Sequence, residues 1–235
     1  MANIRIEISQ EEDIQRLMEL VLPTFQQLEY CKLAGLTPEN AKAAVERHLE
    51  AWREQTRFSN VPMGIKCVHT DPASGQETII SSAEWEFYER ERTEAEYVKG
   101  PYLVSASWVE DAGTKRRALE NVAPLLEKRI RWFAGRPHAA LAFMVTDTAF
   151  RGQGAAAMCV QWGLDQCKKL GIPAVLEASD AGAPLYKKLG FVEVDRVPTL
   201  TKTPVPRTMP VMIWWPPGTK EEDKKPAMPD YALRR

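Results

Sequence analysis

The sequence lacks any apolar run close to the roughly 18 residues that a membrane-spanning helix needs. Its first residues, MANIRIEISQEEDIQ, have neither the basic and then apolar segment of a secretory signal nor the Arg- and Ser-rich composition of a transit peptide. We therefore expect a cytosolic (cytoplasmic) protein that has no membrane partner.

Cysteine is also scarce in this chain. The four cysteines, Cys31, Cys67, Cys159 and Cys167, are too few and too widely spaced for a disulfide framework, and no CxxC pair indicates a zinc site. We expect reduced, mostly buried thiols and no bound metal.

The chain has almost no net charge, because 31 Lys and Arg residues are balanced by 32 Asp and Glu residues. This balance excludes a strong overall attraction to nucleic acid, which we do not expect as a partner. With 44% hydrophobic and 27% charged residues over a length of 235, the composition is that of a soluble globular protein. We expect one domain over residues 1–216 and a polar, weakly packed tail over residues 217–235.

Hydrophobic periodicity predicts a strand, two helices and a hairpin in the first part of the chain. Residues 3–8 alternate as a half-buried strand does, and Ser9 with Glu12 forms a capping-box pattern for the helix that follows. The apolar positions of that helix are Ile14, Leu17, Met18, Val21 and Leu22. Thr37 before Pro38 predicts the start of a second helix. Two β-rich runs, 61–70 and 77–90, flank the turn DPASGQ and predict a hairpin.

The second part of the chain predicts alternating helices and strands. Helical spacing extends from Lys115 to Phe133, and Pro124 within it predicts a kink or a nearby helix start. Residues 138–197 then read strand, helix, strand, short helix, strand, with Gly171 ending the longer helix. A proline-rich loop and a last strand over residues 211–215 follow.

The stretch FRGQGAA, residues 150–156, joins a buried strand directly to a helix. The first N–H groups of a helix have no partner within it, and the missing side chains of Gly152 and Gly154 let a large anion approach them. This pattern predicts a phosphate site, although a plain tight turn is the alternative. It is not a Rossmann fingerprint, because its sixth position is Ala157, and it lacks the Lys of a Walker A loop.

R-G-Q-G-A-A also resembles the Arg/Gln-x-x-Gly-x-Gly/Ala loop that binds the acetyl-CoA diphosphate in the GNAT family of N-acetyltransferases, through Arg151, Gly154 and Ala156. LEASDAGAPLYKKLGF, further along, resembles the strand, short helix, Tyr and Gly-Phe that close the core of this family. The likeness is strongest over residues 138–195, and its style is similar to that of fungal members. Thr148 and Ser179 depart from the proline and the asparagine that are common at these positions.

The resemblance implies the α/β (α+β) GNAT fold, a mixed and mostly antiparallel sheet of about seven strands flanked by helices. It further implies a V-shaped split between the motif strand and the next strand, and acetyl-CoA as co-substrate. The implied cofactor-binding residues are Met144, Val145, Thr146, Arg151, Gly152, Gln153, Gly154, Ala155, Ala156, Ala157 and Ser179. In this scheme the strand residues pair with the pantetheine arm, and the amides from residue 152 onward hold the diphosphate.

The implied reaction is transfer of the acetyl group to a primary amine, with a small-molecule amine as the expected acceptor. Tyr186 falls at the position of the family's general acid. The base is open between His138, Glu84 or Glu86, and a chain of waters, with Glu177 ranked lower.

Three other readings of the function also stay open: an acyl-CoA-binding regulatory module without turnover, an N-acetyltransferase that acts on proteins or peptides, and transfer of an acyl chain longer than acetyl. Trp85, Phe87 and Tyr88 predict either an acceptor pocket or core packing. Trp214 and Trp215 predict either a homodimer interface or burial in the sheet.

Overall fold

The computed structural model describes residues 3–55, 59–99, 106–198 and 208–231. The strands are β1 (Ile4–Ile8), β2 (Gly64–Thr70), β3 (Glu77–Tyr88), β4 (His138–Thr146), β5 (Ala174–Glu177), β6 (Val192–Pro198) and β7 (Thr208–Trp214). The α-helices are α1 (Ile14–Phe25), α2 (Glu29–Leu33), α3 (Ala41–Gln55), α4 (Glu94–Lys99), α5 (Ala112–Phe133), α6 (Ala155–Leu170) and α7 (Ala183–Lys188).

The strands form one seven-stranded sheet in the order β1-β2-β3-β4-β5-β7-β6. Every neighbouring pair is antiparallel except β4 with β5, which is parallel. The expected mixed and mostly antiparallel sheet flanked by helices is therefore confirmed.

Helices cover both faces of this sheet. On one face α6 packs against β2, β3 and β4, and its Gly163 lies against the ring of Trp85. On the other face α1 and α3 pack over the middle of the sheet, and α5 extends toward β5, β6 and β7. Strands β3 and β4 are thus buried from both sides, which explains the apolar sequence of β4.

The sheet splits where β4 meets β5. The two strands pair only at Ala139 with Ala174 and at Ala140 with Val175. β4 nevertheless continues to Thr146, so its last six residues have an edge that β5 does not cover. This arrangement confirms the V-shaped split.

Sequence patterns placed the start of α1 incorrectly. The Gln10 N–H donates to Asp13 Oδ2 at 2.8 Å, and these two residues form the capping box. Ser9 continues the sheet instead, because its N–H donates to Gly64 O at 3.0 Å, and its buried hydroxyl has no partner among the described residues. The predicted Ser9–Glu12 capping box was therefore wrong.

Helix α5 excludes a helix start near Pro124, which was one of the two alternatives that this proline predicted. It begins at Ala112, where Asp111 Oδ1 accepts from the N–H of Thr114 at 2.7 Å, and it continues through Pro124 to Phe133. Buried residues on both sides of the proline, Val122 and Ile130 among them, pack the helix into the core. We attribute the continuity to this packing, which offsets the local cost of about 3 kcal/mol for an interior proline.

Other segments gained structure that periodicity did not indicate. α2 and α4 are too short for a periodic signal. The proline-rich loop lies partly outside the described residues, but Thr208–Pro210 belong to β7. The tail is also anchored: the N–H groups of Ala227 and Met228 donate to Trp132 O and Arg131 O at the end of α5, at 3.2 and 2.9 Å.

Candidate active site

The site begins at the edge of β4 that the split leaves open. The Asp147 N–H, just after β4, donates to Ile80 O in β3 at 2.8 Å. Because alternate residues direct their backbone groups to opposite sides of a strand, Val145 also faces β3, whereas Met144 and Thr146 direct theirs into the split. This edge can therefore accept an extended ligand arm as an additional strand.

A turn after β4 leads into α6 and leaves the start of that helix uncovered. Gly152 has a φ of 77° and Gly154 a φ of 90°, values that favour glycine. A Cβ atom at either position would meet no atom within 4 Å, so both glycines face open space. No side chain caps α6, and its first N–H groups have no helical partner. Together with the helix dipole, they suit a phosphate.

Asp147 holds this turn in place. Its Oδ1 accepts from the N–H of Ala149 at 3.0 Å, and its Oδ2 lies 3.3 Å from Nη2 of Arg16 on α1. Arg151 is exposed, and its Nε donates to Thr146 O at 3.4 Å. The Arg151 guanidinium therefore lies between the open β4 edge and the glycines, where it adds positive charge.

Tyr186 lies on α7, beyond the end of β5. Its side chain is buried, with its ring centroid 5.8 Å from that of Phe191. Burial raises the pKa of Tyr186 to about 12, so the hydroxyl keeps its proton at neutral and mildly alkaline pH. This hydroxyl has no hydrogen-bond partner within the described ranges. A protonated hydroxyl that is not otherwise engaged is suited to donate to a leaving group.

Ser179 and Tyr186 meet around Gly182. The Gly182 N–H donates to Ser179 Oγ at 3.1 Å, which shapes the turn into α7 and leaves the serine O–H able to donate. A Cβ atom on Gly182 would lie 2.9 Å from Cε2 of Tyr186 and 3.3 Å from Ser179 Oγ. The missing side chain therefore allows both residues to approach the turn.

Glu84 is buried on the sheet face that α3 covers. Its Oε1 lies 2.7 Å from Nε2 of His48, and both side chains are at most 4% exposed. Glu84 pairs across the sheet with Phe143, and the β3–β4 register shifts directly after this pair, so that Ala142 forms a bulge. A carboxylate and an imidazole thus lie one strand away from the open edge, at the level of the bulge.

A second buried group of charges lies beside the first. Arg129 on α5 donates from Nε and Nη2 to Glu177 at 3.0 and 2.8 Å, and its Nη1 lies 3.5 Å from Glu86 Oε2. The Tyr88 hydroxyl donates to Glu86 at 3.1 Å. Neither His48 nor Arg129 was found from the sequence. Each occupies a polar position on the buried face of an amphipathic helix, and that is the signal that would have indicated them.

The structure places His138 beside Tyr88, at the end of β4 that is far from the open edge. It is the first residue of β4 and lies eight positions before Thr146, about 27 Å along a strand. Its Nδ1 lies 2.8 Å from Arg136 O, and its ring stacks on Phe133 with centroids 4.2 Å apart. Burial lowers the pKa of His138 to about 3, which makes the imidazole a weak base. We do not retain His138 as the base.

The remaining aromatic candidates divide between the two faces. Trp85 and Phe87 are buried in the core under α6, with ring centroids 6.0 Å apart, as the packing alternative predicts.

Within the part of the chain that the structure describes, no group of three or more His, Cys, Asp and Glu side chains could hold a metal ion. No described helix has both the length and the apolar character needed to cross a membrane.

Comparison with known proteins gives a consistent family and fold. Residues 79–191 match the Acetyltransferase (GNAT) family. A mutant of agmatine N-acetyltransferase in its apo form has a similar structure, with 14% identity, a TM-score of 0.63 and coverage of 91% of this chain and 99% of that chain. No curated protein matches the sequence.

Two further solved structures are similar in fold. The polyamine N-acetyltransferase of Drosophila melanogaster is 14% identical, with a TM-score of 0.55 and coverage of 90% of this chain and 99% of that chain. The Salmonella typhimurium protein yncA, with its cofactor acetyl-CoA, is 11% identical, with a TM-score of 0.54 and coverage of 98% and 99%. The split, the open β4 edge and the glycine turn all lie within the residues that match the GNAT family.

Proposed function

We propose that this protein is an acetyl-CoA-dependent N-acetyltransferase that moves the acetyl group from the thioester to a primary amine of a small molecule. The observation that carries the proposal is the continuous path from the open β4 edge to the uncovered start of α6. The family match and the acetyl-CoA bound by the Salmonella typhimurium relative support it. The proposal includes that this chain is similar to the fungal members of the family.

Acetyl-CoA would be held by main-chain groups at both ends of this path. The amides from Gly152 to Ala157 would receive the diphosphate, and Arg151 would add charge beside it. Met144 and Thr146 would pair with the pantetheine arm, because their backbone groups are directed into the split. Val145 would contribute by packing, and Ser179 can donate its O–H to the arm or to a water.

The reaction forms one C–N bond and breaks one C–S bond. The neutral amine attacks the thioester carbon, its proton passes to a base, and the departing thiolate takes a proton. Tyr186 is the proposed donor of that last proton. Its raised pKa keeps it protonated at the pH at which the amine is partly neutral.

Glu84 is the proposed base for the amine, acting together with His48. The pair is buried at the level of the Ala142 bulge, on the face from which α1 and α3 enclose the sheet. His48 can accept a proton through Glu84 or stabilise the carboxylate by its hydrogen bond. Because the pair lies one strand away from the open β4 edge, a chain of waters would carry the proton from the amine to the pair.

A cationic amine fits the charges on this face. Glu84, Glu86 and Glu177 are three carboxylates on one face of the sheet, and Arg129 is the guanidinium that pairs with two of them. The similar structures include enzymes for agmatine and polyamines, which are small cations. We therefore propose small aliphatic amines of this kind as the first acceptors to examine.

The test is release of CoA thiol from acetyl-CoA with a panel of amines that includes agmatine and polyamines. Tyr186→Phe should lower kcat by on the order of a hundredfold and leave the Kd for CoA unchanged. The matched control is Tyr97→Phe on α4, whose hydroxyl contacts Met228 of the tail at 3.9 Å. CoA binding without turnover on any amine would favour a regulatory module, and turnover only on peptides would move the acceptor to proteins.

A further inference from the structure

Arg129 connects two strands that lie on opposite sides of β4. Its fork donates two hydrogen bonds to Glu177, the last residue of β5, and its third nitrogen faces Glu86 of β3. Because β4 lies between β3 and β5 in the sheet, one side chain from α5 links the strands on both sides of it.

The position of this link coincides with the vertex of the split. Glu86 pairs with Ala140, and Ala140 pairs with Val175, which is the last contact between β4 and β5. Glu177 lies two residues beyond Val175, where β5 has already separated from β4. Arg129 therefore contacts β5 directly after the strands part and contacts β3 directly beside the last paired residue.

The link is rigid and sheltered from water. The Arg129 side chain is 18% exposed, and those of Glu86 and Glu177 are 8% exposed. A guanidinium that donates two parallel hydrogen bonds to one carboxylate is held in a fixed geometry relative to it. Because little water reaches these side chains, the attraction between their charges is only weakly screened. A movement of β5 would have to separate the buried charges of Arg129 and Glu177.

We propose that Arg129 is a positioning residue that fixes the angle between β4 and β5 and thereby the width of the split that receives the thioester arm. This inference rests on the proposed function, because it assigns the split to the pantetheine arm. Loss of the fork would let β5 shift toward or away from β4. Binding of the arm would then weaken, whereas the glycine turn, which lies outside the split, would keep its affinity for the nucleotide end of CoA.

Two probes separate these parts of the ligand. CoA engages both the split and the glycine turn, whereas 3′,5′-ADP carries only the nucleotide end, with the first of the two phosphates of the diphosphate. Arg129→Lys keeps the charge but loses the two-pronged fork, and Glu177→Gln keeps one acceptor but loses the charge pair. Lys128→Met is the matched control, because Lys128 makes a similarly buried ion pair from the same helix to Asp195 of β6, at 2.7 Å.

Calorimetry should show CoA binding about tenfold weaker in both Arg129→Lys and Glu177→Gln, with unchanged affinity for 3′,5′-ADP. Their kcat for acetyl transfer should fall by on the order of tenfold to a hundredfold, because a displaced thioester reacts more slowly. Lys128→Met should lower the melting temperature and leave both affinities and kcat unchanged. A purely structural ion pair would instead give all three variants the same pattern.

The inference is overturned if the two variants retain wild-type CoA affinity and kcat, or if they lose affinity for CoA and 3′,5′-ADP equally. If Arg129→Lys does not fold, Glu177→Gln alone decides, since it changes one oxygen to nitrogen and adds no volume. Failure of the proposed function looks different, because the wild-type protein itself would then bind no CoA.

Discussion

Gly152→Ala tests the diphosphate site with a nearly ideal internal control. Gly152 has a φ of 77°, and Gly75, in the turn between β2 and β3, has a φ of 72°. A Cβ atom at either position would meet no atom within 4 Å. Each alanine therefore introduces the same strain, about 1 kcal/mol or slightly more for a left-handed residue, and neither creates a clash. The two variants should unfold at similar, slightly lowered temperatures.

Only Gly152→Ala should weaken CoA binding. Its methyl group would project into the open space beside the first amides of α6, where the diphosphate is expected. Displacing the diphosphate from one amide removes a charge-assisted hydrogen bond of about 1.5–3 kcal/mol, which is a loss of about 10- to 150-fold in affinity. Gly75→Ala, in the turn between β2 and β3 and outside the proposed CoA path, should bind CoA as the wild type does.

Calorimetric titration of CoA and thermal unfolding of both variants provide the assay. If Gly152→Ala and Gly75→Ala bind CoA with the same affinity, the diphosphate does not lie against this turn, and the proposed path from β4 to α6 is refuted. If Gly152→Ala alone is strongly destabilised, the turn has a structural contact that open space at its Cβ does not predict.

Two further variants test single residues of the site. His138→Phe should keep full acetyl transfer but make the protein less sensitive to acid. Because burial lowers the pKa of His138, the neutral imidazole contributes stability that is present above about pH 6.5 and is lost as the pH falls toward 3. Between pH 7 and pH 4 the free energy of urea unfolding should therefore fall by about 3 kcal/mol less in the variant than in the wild type, and an equal fall in both proteins would contradict this. Gly182→Ala should lower kcat by about tenfold, because the added Cβ would lie 2.9 Å from the Tyr186 ring and would displace it. The control is Gly113→Ala, whose added Cβ would make an ordinary 3.5 Å contact to Asp111. Equal kcat values in the two variants would exclude a role for the position of the Tyr186 ring.

The sequence predicted the part of the site that is local along the chain. The buried strand, the glycine turn and the helix that ends at Gly171 follow one another within 34 residues, and each has its own signal in composition or periodicity. Phosphate binding by such a turn depends on main-chain groups, whose positions follow from the φ values that glycine permits. This is why Gly152 and Gly154 could be identified before any tertiary contact was known.

The buried ion pairs could not be predicted in the same way. His48 and Glu84 are 36 residues apart, and Arg129 and Glu177 are 48 apart, so each pair meets only when a helix packs on the sheet. Periodicity indicates which face of a helix is buried, but it does not indicate which strand residue that face will meet. The error at Ser9 has a related cause, since its N–H pairs with Gly64, a partner 55 residues away.

The two ends of β4 differ in a way that explains where chemistry can occur. At the first end, His138 is buried under Phe133, β5 pairs with the strand, and Trp132 and Arg131 at the end of α5 hold the tail. At the last end β5 no longer pairs with the strand, two glycines adopt left-handed conformations, and α6 begins without a side-chain cap. The open strand edge and the uncapped helix start lower stability by leaving main-chain groups unpaired. They are concentrated within about a dozen residues, and the same unpaired groups are the ones that a diphosphate and an extended arm would satisfy. Ligand binding should therefore stabilise this end of the sheet most, so that CoA slows hydrogen exchange at residues 144–158 more than at residues 138–140.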